Sequence, residues 1–469
     1  TVPPVSRMRD TVEAGFDLVC YSGGKGLRGP YSAGLLLGRP DLIRAARLNG
    51  SPHHRSFGRS MKVSAEEYLG MMVAVEKSFS IDEKAEYQRQ LELISSVGRQ
   101  LAALPGVTVS VGEPDYEASE PYIAVEWDTA RYPIEPAEVK QALRDGEPCV
   151  EIRALFLSGG RIEMTAVMLK PGEDEIVAAR FKEVLTGNPS RHQRLAFRPM
   201  PDRDEAAKPG RDYFAEIGVN PVLNAAGAYS ALGGARMRPE VMRAMSYAAI
   251  NKVKVRDLHD AVGKRIATLT GAEAAMVTSG ATAAIVLATA ACMTRGDKDA
   301  MQRLPDTRGM RNQVIIQKKH RYTYDRALWV AGAELVEVES EADVRAVASE
   351  RTAMMFFLKP TQVGHDIEAD RYLALARELG IPSFCDAATT TPPASNVIDG
   401  VSEGFDLICY SGGKGLRGPY SAGLLLGRAE LIAFAREHAA PNDQSIGRGM
   451  KVSIEEYLGM LIALEAGLE

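Results

Sequence analysis

Apolar and polar positions follow two patterns along this chain, and the clearer one lies in its second half. From residue 213 onward, short apolar runs are separated by stretches with helical spacing. Near-continuous apolar strands between helices predict a mostly parallel sheet covered on both faces. The seven strand-like runs lie at 274–278, 314–317, 334–338, 353–358, 382–386, 405–410 and 422–426. Residues 213–469 are therefore predicted to form an α/β large domain, with ligands at the carboxyl ends of its strands.

An earlier stretch, residues 81–195, has the pattern of a small α+β domain. Apolar residues at helical spacing fill 81–104, and Pro105 with Gly106 ends that helix. Antiparallel strands with helices on one face are predicted from runs at 107–111, 121–126, 148–157 and 161–168 and helical stretches at 136–144 and 173–186. Residues 196–212 are rich in proline and charge and predict a linker.

Eighty residues of sequence occur twice, once at each end of the chain. Residues 1–80 align with residues 390–469 without a gap at an offset of 389, and 50 of the 80 positions are identical. Residues 22–39 and 411–428 both read SGGKGLRGPYSAGLLLGR. We interpret residues 1–80 as a partial large-domain segment, and the chain as the tail of one protein fused to the head of another.

The two copies are expected to compete for one place in the large sheet. The second copy has the shorter loop to close to that sheet, although loop length changes the closure cost only slowly. Lys414 of the second copy is therefore expected in the site, and the equivalent Lys25 is interpreted as a duplicate lysine outside it.

Composition and charge argue against several classes of protein. The chain has 469 residues, 45% of them apolar and 25% charged, with a formal net charge of −5. An acidic balance gives no global attraction to nucleic acid. The five cysteines form no CxxC pair, so neither a disulfide framework nor a metal site is indicated. We find no membrane-length apolar run and no signal-peptide character, which predicts a cytoplasmic protein.

Candidate chemistry gathers at the predicted carboxyl ends of the strands. Small residues from Thr278 to Thr282 lead from a strand into a helix, whose free amides favour a phosphate. His320 follows the run at 314–317 and could stack on a planar ring. Asp386 ends another strand, where a buried carboxylate needs a cationic partner. Lys414 lies among glycines, and its amine can form a Schiff base with a carbonyl cofactor.

Three of these four features have an ordinary structural explanation when they are taken alone. Small residues before helices are common, a histidine in a basic loop is often on the surface, and a GGKG segment is often a surface turn. Their order along the chain is more specific. Phosphate turn, stacking residue, aspartate and then lysine is the order found in pyridoxal-phosphate enzymes of the aspartate-aminotransferase fold, which this chain resembles.

The resemblance extends to a narrower family. The segments IGVNPVLNAAGAYSALGGARMRPEVMR, TGAEAAMVTSGATAAIVLATAACMTRGD and CDAATTTPP are similar to selenocysteine synthase-like enzymes, specifically the shorter branch that contains D-glucosaminate-6-phosphate ammonia-lyase. Residues 81–190 resemble the C-terminal small domain of that family. The resemblance implies pyridoxal 5'-phosphate as cofactor, a homodimer or higher oligomer, and a small anionic substrate.

Residue roles follow from the same resemblance. It implies Lys414 as the Schiff-base lysine, Asp386 as the partner of the pyridine nitrogen and His320 as the stacking residue. It places four further residues near the cofactor phosphate, namely Ser279, Gly280, Thr282 and Ser411. Candidate substrate contacts, for which a solvated loop is the alternative, are Arg303, Arg308 and Arg311. A further candidate for the substrate carboxylate is Arg153.

The predicted function is a pyridoxal-phosphate-dependent lyase that eliminates water and ammonia from a 2-amino sugar acid or a similar hydroxy amino acid. One alternative is an aminoacyl-tRNA-modifying enzyme like seryl-tRNA selenium transferase. The acidic charge and the absence of the longer N-terminal helical domain of those enzymes argue against tRNA. A second alternative is a catalytically inactive fragment or assembly partner.

Overall fold

The computed structural model describes residues 6–112, 120–152, 161–188, 212–359 and 364–469. The chain divides into two compact units. The first unit comprises Thr1–Phe16, Lys25–Leu27 and Val73–Phe197, and the second comprises Asp17–Gly24, Arg28–Met72 and Arg198–Glu469. Most of the first copy of the repeat therefore belongs to the same unit as the second copy. The predicted linker, 196–212, lies outside the described residues except for residue 212.

Helices and strands alternate along most of the chain. Up to residue 188 they are α1 (Ser6–Glu13), β1 (Leu18–Ser22), β2 (Gly34–Gly38), α2 (Pro40–Leu48), α3 (Ala65–Ser78), α4 (Glu83–Ala102), β3 (Val107–Gly112), β4 (Tyr122–Trp127), α5 (Pro136–Asp145), β5 (Ile162–Thr165) and α6 (Glu173–Thr186). From residue 212 they are α7 (Tyr213–Glu216), α8 (Pro239–Ile250), α9 (Val255–Thr270), β6 (Ala274–Thr278), α10 (Gly280–Thr294), α11 (Lys298–Arg303), β7 (Gln313–Gln317), α12 (Arg326–Val330), β8 (Glu334–Val338), α13 (Glu341–Val347), β9 (Thr352–Leu358), α14 (Ala369–Leu379), β10 (Ser383–Asp386), α15 (Asn396–Ser402), β11 (Leu407–Ser411), β12 (Gly423–Gly427), α16 (Ala429–Glu437) and α17 (Ile454–Leu468).

The first unit is built on a three-stranded antiparallel sheet in the order β3-β4-β5. Helix α4 begins where the Asp82 side chain accepts hydrogen bonds from two first-turn amides, and it ends before Pro105. Apolar side chains of α4, α5 and α6 pack with those of the strands into one core. The apolar run at 148–157 predicts a strand, but its described part, 148–152, is not in one.

The second unit contains a seven-stranded sheet in the order β6-β12-β11-β10-β9-β7-β8. Its neighbours pair in parallel except at β12, which runs antiparallel to both β11 and β6. Every residue of β9, β10 and β11 is buried, which explains why those runs lack polar alternation. The predicted mostly parallel seven-stranded fold is confirmed.

Two apolar clusters cover the two faces of this sheet. One cluster joins residues of α9, α14 and α17 to one face, and the other joins α10, α12 and α16 to the opposite face. All fifteen residues of α10 are buried, consistent with a helix that is apolar all round. This buried helix begins directly after β6, at the end of the sheet that holds the carboxyl end of that strand.

The two copies of the repeat form the same hairpin in different surroundings. Strands β1 and β2 pair antiparallel, with Cys20 opposite Leu36, and β11 and β12 repeat that register with Cys409 opposite Leu425. The first hairpin forms a separate two-stranded sheet, whereas the second lies between β10 and β6 in the large sheet. The local sequence therefore fixes the hairpin but not its neighbours.

None of the described helices is long and apolar enough to cross a membrane.

Candidate active site

A cavity of about 240 Å³ lies at the carboxyl ends of β10 and β11 in the second unit. Its walls come from the start of α10, from the loops after β10 and β11, and from the first copy of the repeat. Four of the residues predicted for the cofactor line this one cavity, namely Thr282, Asp386, Ser411 and Lys414. The cavity therefore lies at the edge of the sheet where the chain topology predicts ligands.

Lys414 enters the cavity from a turn that only small residues can form. A Cβ added to Gly413 would lie 2.6 Å from the Tyr420 Cα, and one added to Gly415 would lie 2.1 Å from the Pro392 nitrogen. Burial lowers the pKa of the Lys414 amine, Asp386 opposes that shift, and the nearby Arg59 lowers the pKa further. A lowered pKa increases the fraction of neutral amine, the form that acts as nucleophile and base.

Asp386 is buried at the end of β10 and is held on both carboxylate oxygens. Its Oδ1 accepts a hydrogen bond from the Ala388 amide at 2.9 Å, and its Oδ2 accepts one from the Tyr322 hydroxyl. Burial and the Asp386 charge raise the pKa of Tyr322 well above its ordinary value, so Tyr322 stays a donor. The carboxylate is thereby fixed in orientation, with the Cys409 sulfur 3.7 Å from Oδ1.

The start of α10 has features that would suit an anion. The Ser279 side chain makes no capping hydrogen bond, and Gly280 takes a φ of +79°, which favours glycine. The first amides of a helix have no partner within the helix, and its dipole favours negative charge there. Ser279 and Gly280 belong to this turn but do not line the cavity, whereas Thr282 does.

Two basic side chains of the first repeat copy also line the cavity. Arg59 and Lys62 precede α3, and they are 4% and 7% exposed. Sequence reasoning missed both of them. Their signal is the segment GRSMKVS at 58–64, which recurs as GRGMKVS at 447–453, but nothing local indicates which copy faces the cavity.

His320 is not placed in the cavity wall. Its ring is fully buried against Phe357, its Nδ1 accepts a hydrogen bond from the Leu358 amide at 3.2 Å, and its Nε2 lies 2.8 Å from Nδ1 of His365. Burial and His365 lower the pKa of His320 to about 4, so its ring is neutral. Tyr322, two residues further on, lines the cavity instead. His320 therefore lies outside the cavity wall, and its stacking role stays a prediction.

The predicted substrate arginines lie elsewhere. Arg303, Arg308 and Arg311 do not line the cavity. Arg308 forms a salt bridge with Asp306, and Arg303 donates to the Arg308 carbonyl oxygen, so the solvated-loop alternative fits them better. Arg153 lies outside the described residues. Lys25 is exposed and belongs to the first unit.

The cavity residues fit pyridoxal phosphate. Asp386 can pair with a protonated ring nitrogen, Lys414 can bond to the aldehyde, and the start of α10 with Thr282 and Ser411 can hold the phosphate. Arg59 Nε and Nη1 are buried without hydrogen-bond partners among the described residues, which suits an anionic ligand. Together with the seven-stranded sheet, these residues define a pyridoxal-phosphate-dependent enzyme of the aspartate-aminotransferase fold.

Comparison with known proteins places the chain more closely. No protein-family model matches it. D-glucosaminate-6-phosphate ammonia lyase of Salmonella typhimurium is 31% identical over 264 residues, which cover 54% of this chain and 69% of that protein. A 5'-C-glycyluridine monooxygenase-decarboxylase of a Streptomyces species is 33% identical over 283 residues, 58% of this chain and 68% of that protein. The L-seryl-tRNA(Sec) selenium transferase of Haemophilus ducreyi is more distant, at 24% identity over 42% of this chain and 45% of that protein.

A solved structure agrees with these relatives. The structure of D-glucosaminate-6-phosphate ammonia-lyase is 30% identical in sequence and matches with a TM-score of 0.51 over 55% of this chain and 70% of that one. The chain belongs to the family of pyridoxal-phosphate-dependent enzymes that includes D-glucosaminate-6-phosphate ammonia-lyase. The predicted family, the cofactor and an enzyme of lyase type are confirmed.

Proposed function

We propose that this enzyme eliminates water and then ammonia from a 2-amino acid that carries a 3-hydroxyl and a further anionic group, such as a phosphorylated 2-amino sugar acid. The observation that carries the proposal is the cavity, where Lys414, Asp386 and the start of α10 lie beside two buried cations. One relative, D-glucosaminate-6-phosphate ammonia lyase, supports the substrate class.

The residues divide the work by position and charge. When bound, pyridoxal phosphate supplies an electron sink for negative charge at the substrate α-carbon. Asp386, fixed by Tyr322 and the Ala388 amide, keeps the ring nitrogen protonated and oriented. The Lys414 amine, with its lowered pKa, accepts the α-proton and returns a proton to the leaving hydroxyl.

The overall reaction balances without an oxidant. The α-proton and the 3-hydroxyl leave as water, and a second water later replaces the amino nitrogen, releasing ammonia and leaving a 2-oxo-3-deoxy acid. Lys414, Asp386 and Tyr322 all line the cavity, so each is placed to act in this scheme. Tyr322 positions Asp386 rather than touching the reacting carbon.

The test uses the full chain with added pyridoxal phosphate and D-glucosaminate 6-phosphate. We expect the visible-edge absorbance of lysine-bound cofactor, followed by release of ammonia and a 2-oxo acid in equal amounts. Binding of cofactor without ammonia release from this or related phosphorylated 2-amino sugar acids would contradict the proposed reaction. Failure to bind the cofactor would favour the inactive-fragment alternative.

The alternative function, tRNA modification, can be tested separately by measuring tRNA binding. A tRNA-linked enzyme would bind tRNA with an affinity that falls steeply with salt. We expect no such binding, because the cations that line the described cavity are enclosed rather than spread over a surface.

A further inference from the structure

Arg59 is a buried cation whose donors are only partly used. Its Nη2 donates to the Ser230 hydroxyl at 2.9 Å, and its guanidinium lies over the Tyr324 ring at 5.3 Å. Its Nε and Nη1 are buried with no hydrogen-bond partner among the described residues. A buried donor without a partner is costly, so an acceptor that enters the cavity would be bound strongly.

Lys62 brings a second positive charge to the same wall. Its Nζ donates to the Tyr420 carbonyl oxygen at 2.8 Å and lies over the Tyr420 ring. A Cβ added to Gly280, the first residue of α10, would lie 2.5 Å from this Nζ. The amine is therefore at the start of α10, where the helix dipole also favours an anion.

The charges on this wall repel one another when the cavity holds no anion. Burial, Arg59 and Lys414 together lower the pKa of Lys62 to about 7, and Glu456 opposes the shift. Neither Arg59 nor Lys62 forms a salt bridge with a carboxylate in the described part of the chain. An anionic ligand would relieve this repulsion and would favour the protonated form of Lys62.

The second repeat copy carries the same two residue types outside the cavity, and its lysine repeats on Tyr31 the contact that Lys62 makes with the equivalent Tyr420. Arg448 and Lys451 stand at the equivalent positions, and neither lines the cavity. Arg448 Nε lies 3.5 Å from an Asp443 carboxylate oxygen, and Lys451 Nζ donates to the Tyr31 carbonyl oxygen at 3.3 Å. The chain thus carries its own matched control for the pair in the cavity.

We propose that Arg59 and Lys62 form a binding site for one oxyanion group, so that the first repeat copy completes, within the same chain, the active site built on the second copy. This inference rests on the proposed function for the location of the chemistry but not for the identity of the substrate. The ligand chemistry is a phosphate or carboxylate, which either the cofactor or the substrate can supply. The Lys62 amine lies at the start of α10, and the charge of Arg59 acts on the Lys414 amine.

The decisive experiment compares the two repeat copies in the full chain. Arg59→Ala, Lys62→Ala and their double variant are set against Arg448→Ala, Lys451→Ala and their double variant. Each protein is titrated with pyridoxal phosphate, with pyridoxal, which has no phosphate, and with inorganic phosphate, by absorbance and by thermal shift. Steady-state kinetics with D-glucosaminate 6-phosphate follow.

We expect the first-copy variants to lose roughly tenfold or more in affinity for an oxyanion, because hydrogen bonds to charged groups are among the stronger ones. Weaker binding of pyridoxal phosphate with unchanged binding of pyridoxal would assign the site to the cofactor. Unchanged cofactor binding with a raised KM and weaker protection by inorganic phosphate would assign it to the substrate. The second-copy variants should leave every one of these quantities unchanged.

The proposal would be overturned if the first-copy and second-copy variants changed oxyanion binding and KM equally, or if neither set changed them. If Arg59→Ala fails to fold, Arg59→Lys replaces it, because it keeps the charge. The oxyanion affinity of Arg59→Lys should lie between that of the wild type and that of Lys62→Ala. If D-glucosaminate 6-phosphate is not a substrate, the proposed function fails, but the pyridoxal and phosphate titrations still decide this inference.

Discussion

The two copies of the repeat have the same local sequence and different surroundings. Both form a hairpin of the same register, yet β11 is buried along its whole length while β1 has exposed and half-exposed positions. Leu425 is 0% exposed, whereas the identical position in the first copy, Leu36, is 42% exposed. The difference comes from β10 and β6, which flank only the second hairpin.

This comparison shows that the repeated lysine owes its chemistry to distant partners. Lys414 lies in one cavity with Asp386 and the start of α10, and burial lowers its pKa. Lys25 has the same neighbours in sequence but is exposed. A glycine-rich turn can present a lysine, but only the sheet around it creates a reactive amine.

Replacing each of the two lysines by alanine in turn should give the largest difference in activity between the two copies. Lys414→Ala is expected to abolish the lysine-bound cofactor absorbance and to lower the rate by about 10³-fold, because the base and the covalent attachment point are lost together. Lys25→Ala should retain the wild-type spectrum and rate. Absorbance and ammonia release measure both effects. Loss of the absorbance band in Lys25→Ala alone would reverse the assignment of the two copies.

Truncating the same leucine in each hairpin tests the difference in burial. Leu425→Ala should lower the free energy of unfolding by about 2–5 kcal/mol, since it leaves a cavity in a packed core. Leu36→Ala should cost less than about 1 kcal/mol, because much of that side chain is already in solvent. Urea unfolding followed by circular dichroism measures both. Equal losses would mean that the two hairpins are equally enclosed.

Much of the fold could be predicted because buried strands and amphipathic helices leave local patterns. Strands β6 and β8 have the bounds that their apolar runs indicate, and Asp386 ends a strand as expected. The sequence did not indicate Tyr322, because its contact with Asp386 joins residues that are 64 positions apart in the chain. Arg59 could not be placed either, since its contact with Ser230 spans 171 residues of chain.

A buried pair of glutamates offers a second test of the first copy as part of the same unit. Glu456 accepts hydrogen bonds from Ser421 and from the Ser453 amide, and Glu67 repeats this arrangement with Ser32 and the Ser64 amide. Burial raises the pKa of Glu456, and the charge of Glu67 raises it further. The two equivalent carboxyls therefore interact electrostatically.

This pair should also make the stability of the protein depend on pH. A carboxyl with a raised pKa binds more protons when folded, so the free energy of unfolding should fall as pH rises above the ordinary carboxyl range, by up to about 1.4 kcal/mol per pH unit for one proton.

Glu456→Gln should remove most of this slope. Glu67→Gln should reduce it because the neighbouring charge is gone, and the exposed Glu350→Gln should leave it unchanged. Urea unfolding at several pH values between about 5 and about 8 measures the slope. A slope that Glu67→Gln does not alter would show that the two copies do not share this electrostatic interaction.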